Sequence, residues 1–117
     1  MFDAKNKRTT GSHYESRVAA FLQKQGFHIL EQNFRCRSGE IDLIARDGRY
    51  LVFIEVKYRR TGNAGTALEA IDARKASQVR RIAEIYLHQK RYSEEIPVRF
   101  DAAGVDGEHI TYIKNAF

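Results

Sequence analysis

The chain has 117 residues, 43% of them apolar, with 6 Tyr, 7 Phe and no Trp, the size and make-up of one globular domain rather than a disordered or fibrous polypeptide. Its net charge of +5 favours an anionic partner, of which nucleic acid is the commonest. No apolar run approaches the roughly 20 residues that span a bilayer, the polar N-terminus lacks a signal-peptide core, and one cysteine, Cys36, excludes an internal disulfide, so a cytoplasmic setting without membrane attachment is expected.

There is no internal repeat, low-complexity tract or Pro-rich linker, and residues 1–117 are expected to form a single domain with residues 1–12 as a loose, flexible basic arm. Ser12-His13-Tyr14-Glu15 has the Ser-x-x-Glu form of a helix capping box. Tyr14, Val18, Phe21 and Leu22 then recur at helical spacing, with Gly26 as the stop. Phe27 to Phe34 reads as a strand, and Cys36 reads as an incidental strand residue rather than a nucleophile. Residues 40–46 and 50–58 read as two strands joined by Asp47-Gly48, a two-residue hairpin signal. Thr66-Ala67-Leu68-Glu69 is a second capping box and predicts a helix to about Leu87, its apolar stripe being Leu68, Ile71, Val79, Ile82 and Tyr86. Pro97 to Val105 and Glu108 to Ile113 predict two strands joined around Asp106-Gly107. The order α-β-β-β-α-β-β implies a mixed sheet with helices packed on it, in the α/β class.

The hairpin carries Glu40, Asp42, Glu55 and Lys57 within otherwise apolar runs, where charge is seldom found unless it is paired or binds an ion. With Asp47-Gly48 as the turn, Arg46 faces Arg49, Asp42 faces Phe53, and Glu40 faces Glu55. Side chains alternate along a strand, so all four charged groups fall on one face at one end of the hairpin. Two carboxylates about 5 Å apart repel by roughly 3 kcal/mol at an effective dielectric near 20. One lysine against three acids leaves the group net negative, and a divalent cation with oxygen ligands relieves it. A surface Glu55–Lys57 pair contributes little and does not explain three acids together.

Glu15 has two readings, as the acid of the capping box or as a helix residue leaning toward the same site. Lys75 also has two, since it sits between Ile71 and Val79 on the apolar stripe: it snorkels to the edge or reaches the site to hold phosphate. Arg35, Arg37, Arg59 and Arg60 flank the acidic hairpin and are the candidates for phosphate contacts. His13, His28, His88 and His109 show no ligand spacing. The chain has no Gly-rich phosphate loop, Gly-x-Ser-x-Gly elbow or paired-cysteine zinc motif.

Gly39-Glu40-Ile41-Asp42-Leu43-Ile44-Ala45 followed by Glu55-Val56-Lys57 resembles the PD-(D/E)xK nuclease signature, in which an acid on one strand precedes an acid-x-Lys on the next. With Gly11, Glu15 and Ala19, Ala70-Ile71 and Lys75, Arg99-Phe100-Asp101 and the terminal Asn115-Ala116-Phe117, nearly the whole chain is similar to the YraN family of small uncharacterised bacterial proteins. Archaeal Holliday junction resolvases are a more distant likeness. The resemblance implies a restriction-endonuclease-like mixed sheet of about five strands. It implies that Asp42 and Glu55 ligate Mg²⁺ or Mn²⁺ with Glu15 assisting and Glu40 auxiliary, and that Lys57 positions the attacking water. Ile41 stands where the signature has proline.

The expected activity is then metal-dependent hydrolysis of nucleic-acid phosphodiesters, with DNA, branched forms included, ahead of RNA. The alternative is a non-catalytic nucleic-acid-binding adaptor on a nuclease scaffold. A homodimer would suit cleavage of two strands, although no segment specifies one.

Overall fold

The computed structural model describes residues 3–59 and 71–117, with side chains described from His13 to Tyr58 and from Ile71 onward. In chain order the elements are α1 (Asp3–Lys24), β1 (His28–Cys36), β2 (Gly39–Asp47), β3 (Tyr50–Arg59), α2 (Ala73–Gln89), β4 (Val98–Asp106) and β5 (His109–Ile113). This is the order read from the sequence. The strands form one five-stranded mixed sheet in the order β1-β2-β3-β4-β5. All neighbours are antiparallel except β3 and β4. A parallel pair cannot be closed by a tight turn, and the segment between β3 and β4 contains α2.

The two helices pack on opposite faces of the sheet. Val18 and Leu22 of α1 meet Leu43, Ala45, Val52, Ile54, Ala103 and Val105 on one side. Val79, Ile82, Ala83 and Tyr86 of α2 meet Ile41, Ile44, Leu51 and Phe53 on the other. Leu51 to Val56 is consequently buried at every position, as a strand covered on both faces must be. Its neighbour β4 runs buried from Asp101 to Val105.

Several boundaries differ from expectation. The first helix begins at Asp3, well ahead of the Ser12 capping box, because 3–24 contains no proline to stop it and a single glycine, Gly11. It ends where expected, with Gly26 at φ +97°. The Phe27 N–H there donates to the Leu22 carbonyl and the Gly26 N–H to the Gln23 carbonyl, which is a Schellman closure. The second helix starts at Ala73 with Asp72 as its extended N-cap, whose side chain accepts from the Lys75 N–H. The Thr66–Glu69 box and Leu68 lie outside the described residues, but Ile71 and Asp72 are not helical, so no single helix runs from Thr66 to Leu87.

The hairpin turn also moves. Asp47 pairs with Tyr50, so the two-residue loop is Gly48-Arg49, with Gly48 at φ +61°. Glycine at the first loop position supplies that backbone without steric cost. The register is therefore Ile44 opposite Phe53 and Leu43 opposite Ile54, where the ladder ends. The expected facing of Asp42 with Phe53 is replaced by one in which the next position along the hairpin sets Asp42 against Glu55.

Candidate functional site

The end of the β2–β3 ladder is where the charged residues lie. Beyond Leu43 the two strands part, while β3 stays paired to β4 as far as Arg59 and Asp106. The Val56 N–H that faces this gap donates to Asp42 Oδ2 at 2.8 Å. A side-chain carboxylate thus takes the place of a strand carbonyl and satisfies a buried donor that would otherwise be costly.

The alternation of β2 also breaks at Asp42. Leu43 and Ala45 pack toward α1, whereas Ile41 packs with Ile44 toward α2. On β1, Gln32 pairs with Leu43 and Phe34 with Ile41, and Asn33 between them adopts φ 57°, a left-handed conformation that asparagine tolerates better than most residues. The four charged groups expected on one face are consequently divided. Glu40 joins Glu15 on the α1 side, Glu55 meets Lys75 of α2 on the other, and Asp42 stands at the break between them.

Glu15, Glu40 and Asp42 each offer a carboxylate oxygen within 4.8 Å of the others. The capping reading of Glu15 does not hold, because the helix starts upstream; its side chain is buried and leans toward Glu40 and Asp42. Its Oε1 is enclosed and has no hydrogen-bond partner. Burial pushes the Glu15 carboxyl up to about 7, with the Glu40 and Glu55 charges adding and hydrogen bonds to Asp42 and Asn33 opposing. Burial likewise pushes Asp42 up to about 7 against its bond from Val56, with Glu15 and Glu40 adding repulsion. Glu40 is partly exposed and pairs with Arg35 Nε at 3.2 Å.

Glu55 is 3% exposed and is not one of that trio. Its Oε2 lies 3.2 Å from Lys75 Nζ and 3.7 Å from Lys57 Nζ. Its Oε1 is buried without a partner. Burial raises its carboxyl to about 7, Asp42 raises it further, and the two lysines pull it down. Lys75 therefore reaches the site from the first turn of α2, where the apolar stripe alone suggested an edge position. A trio with Glu40 as a full member, and a second lysine on Glu55, are the main changes to the set read from sequence.

Of the flanking arginines, one touches the carboxylate trio and one stands apart from it among the described residues. Arg35 is held by Glu40, and Arg37 is exposed in the connection from β1 to β2. The Arg59 side chain and Arg60 lie outside the described residues.

Sequence reading missed a second charged centre at the far end of the hairpin. Asp101 is fully buried and accepts from Arg99 Nε at 2.9 Å, Tyr112 Oη at 2.6 Å and the Asn115 N–H at 2.8 Å. Arg99 also donates to Asp47 at 2.8 Å. The signal was an acid inside the apolar run of β4, the same signal that exposed the hairpin site. Here, however, every acid oxygen finds a protein donor. This fold saturates one buried acid and leaves Glu15 Oε1 and Glu55 Oε1 unpartnered.

Such a donor set fits a hard divalent cation. It consists of carboxylate oxygens alone, with no histidine or cysteine in the trio, which suits Mg²⁺ or Mn²⁺ rather than zinc. Among the described residues no helix is long and apolar enough to cross a membrane.

A family model described as "Uncharacterised protein family UPF0102" matches residues 14–105, a span that contains Glu15, Glu40, Asp42, Glu55, Lys57 and Lys75. Similar proteins include a UPF0102 protein of Lachnoclostridium phytofermentans, 45% identical over 112 residues covering 96% of this chain and 95% of the relative. Another, from Janthinobacterium sp., is 42% identical over 110 residues, covering 94% and 88%. A third, from Caldicellulosiruptor saccharolyticus, is 41% identical over 118 residues, covering 96% and 99%. With matches of this extent, the chain belongs to UPF0102, which is the YraN family that its sequence resembles.

Proposed function

We propose that the chain is a metal-dependent nuclease that hydrolyses nucleic-acid phosphodiesters. The observation that carries this reading is the unsatisfied carboxylate chemistry at the parted hairpin. Glu15, Glu40 and Asp42 converge there, and Glu15 and Glu55 keep buried oxygens without partners.

Asp42, Glu15 and Glu40 would hold Mg²⁺ or Mn²⁺, with the free Oε1 of Glu55 available to the same ion or to its water. Bound there, the ion would supply Lewis-acid polarisation of a phosphate and a lowered pKa of water. The remaining work belongs to the chain. Glu55 holds Lys57 and Lys75, whose two ammonium groups would offset the negative charge that a phosphate gains. Lys57 orients the attacking water, and Asp42 is kept in place by the Val56 N–H. Arg35, Arg37, Arg59 and Arg60 supply phosphate contacts that carry affinity without reading sequence. DNA, branched forms included, stands ahead of RNA by the resemblance to resolvase-like nucleases, and the setting is cytoplasmic.

One observation favours a second reading. Glu55, an expected ligand, already has its Oε2 neutralised by two lysines, as a non-catalytic nucleic-acid adaptor on this scaffold would have it. Incubation with labelled single-stranded, duplex, flapped and four-way DNA and with RNA separates the two. The nuclease reading expects cleavage with Mg²⁺ or Mn²⁺, none with EDTA, and a loss of at least 100-fold in Asp42→Ala. Salt-sensitive binding that survives EDTA, with no cleavage of any substrate, establishes the adaptor.

A further inference from the structure

Next to the carboxylates stands an aromatic ladder that the proposed hydrolysis does not use. Tyr58 follows Lys57 on β3, and Tyr14 precedes Glu15 on α1. Their rings stack with centroids 4.2 Å apart and planes 15° from parallel. His13 meets the Tyr14 edge at 5.4 Å. The Arg17 guanidinium lies 5.9 Å over the Tyr14 ring while donating to the Gly107 carbonyl at 2.7 Å, which ties the middle of α1 to the β4–β5 turn.

Tyr58 is nevertheless 41% exposed, the one aromatic among the exposed large apolar side chains of the described residues. One ring face is covered by Tyr14, so the exposure belongs to the outer face and edge. A simple clasp between α1 and β3 needs only the inner face. An open aromatic face beside a cluster of acids and lysines is what a nucleobase stacks on, since every base has a π-face. The ring is already fixed, so little conformational entropy is lost when a base lands on it. Paired bases inside a duplex present edges to a protein and keep their faces stacked on one another. Only an unpaired or splayed base can occupy such a surface.

Building on the nuclease reading, we propose that the outer face of Tyr58, braced by Tyr14, stacks a base of an unpaired strand beside the carboxylate site. The preferred substrate is then a single-stranded or splayed segment rather than continuous duplex.

The test uses the full chain in EDTA, so that no cleavage intervenes. The probes are an oligonucleotide carrying 2-aminopurine, as a single strand, and the same sequence closed into a hairpin duplex. The proposal expects tighter binding of the single strand, with quenching of 2-aminopurine fluorescence. Tyr58→Ala should weaken single-strand binding on the order of tenfold and abolish quenching, while Tyr58→Phe retains both. Tyr58→Leu, which keeps apolar contact with Tyr14, should also lose quenching, so a structural role alone cannot produce the pattern. Equal binding of strand and hairpin, or quenching unchanged in Tyr58→Leu, overturns the platform and leaves the nuclease reading standing. Failure to bind either probe, with no cleavage in Mn²⁺, overturns both.

Discussion

Asp42 does two things at once: one oxygen closes the hairpin by accepting from Val56, and the side chain completes a trio with Glu15 and Glu40. Burial disfavours ionised carboxylates here and their mutual repulsion adds to it, so Glu15, Asp42 and Glu55 all move up to about 7. These folded-state values lie above those of the unfolded chain, about 3.8 for Asp and 4.5 for Glu. Between roughly pH 4 and 7 the folded protein holds protons that the unfolded chain has released. The stability contributed by these groups is therefore complete below that window and is lost as pH rises through 7. In EDTA, unfolding should become easier from pH 5 to 8 by about 1–3 kcal/mol, seen as a fall of several degrees in Tm, with a smaller fall in Asp42→Asn. Adding Mg²⁺ at pH 8 to about ten times its Kd should restore about 1.4 kcal/mol in the wild type and less in that variant. A Tm that rises with pH in EDTA contradicts this placement of charge. At the opposite end, Asp101→Ala takes their shared acceptor from Arg99 and Tyr112 and leaves Arg99 paired with Asp47 alone. A loss of about 1–3 kcal/mol is expected from buried donors left unsatisfied, measured by denaturant unfolding, with no change in metal affinity.

At the scale of elements, the apolar patterns were legible wherever burial is one-sided or complete. Val18 and Leu22, the runs in β2 and β3, and Val79, Ile82 and Tyr86 all point into the core as their spacing requires. Turns and caps were less legible, because they depend on a single residue's backbone. Gly48 serves at either position of a two-residue loop by composition, and the choice between Asp47-Gly48 and Gly48-Arg49 is made by packing of the strands. The shift moved the partner of Asp42 along β3 without reversing its facing. The break that sends Glu40 toward α1 arises at Asn33 and Asp42, in which two strands leave regular alternation together, and periodicity assumes such breaks away. The helix start was misread for a related reason. Asp72 caps α2 through the Lys75 N–H at 2.9 Å, while the stronger Thr-x-x-Glu pattern lies upstream. Asp72→Ala should cost about 1 kcal/mol, read by thermal unfolding. It should also loosen Lys75, whose backbone Asp72 anchors and whose ammonium sits 3.2 Å from Glu55.

For the molecule as a whole, the sheet positions everything. Both described helices cover it, β3 runs through its centre, and the acids gather where β2 and β3 part beside that buried strand. That much of the site was readable, since charge inside apolar strands is a strong signal. The assignment of partners was not, because it depends on which helix lies on which face, and no pattern in α1 or α2 states that. The central claim is that these carboxylates bind a divalent ion. It is tested most directly by anomalous diffraction from crystals soaked in Mn²⁺, for the wild type and Asp42→Asn. The account predicts a manganese peak among Glu15, Glu40 and Asp42 in the wild type and its loss or marked weakening in the variant. No peak there at millimolar Mn²⁺, with the carboxylates ordered and ionised above pH 7, would contradict it.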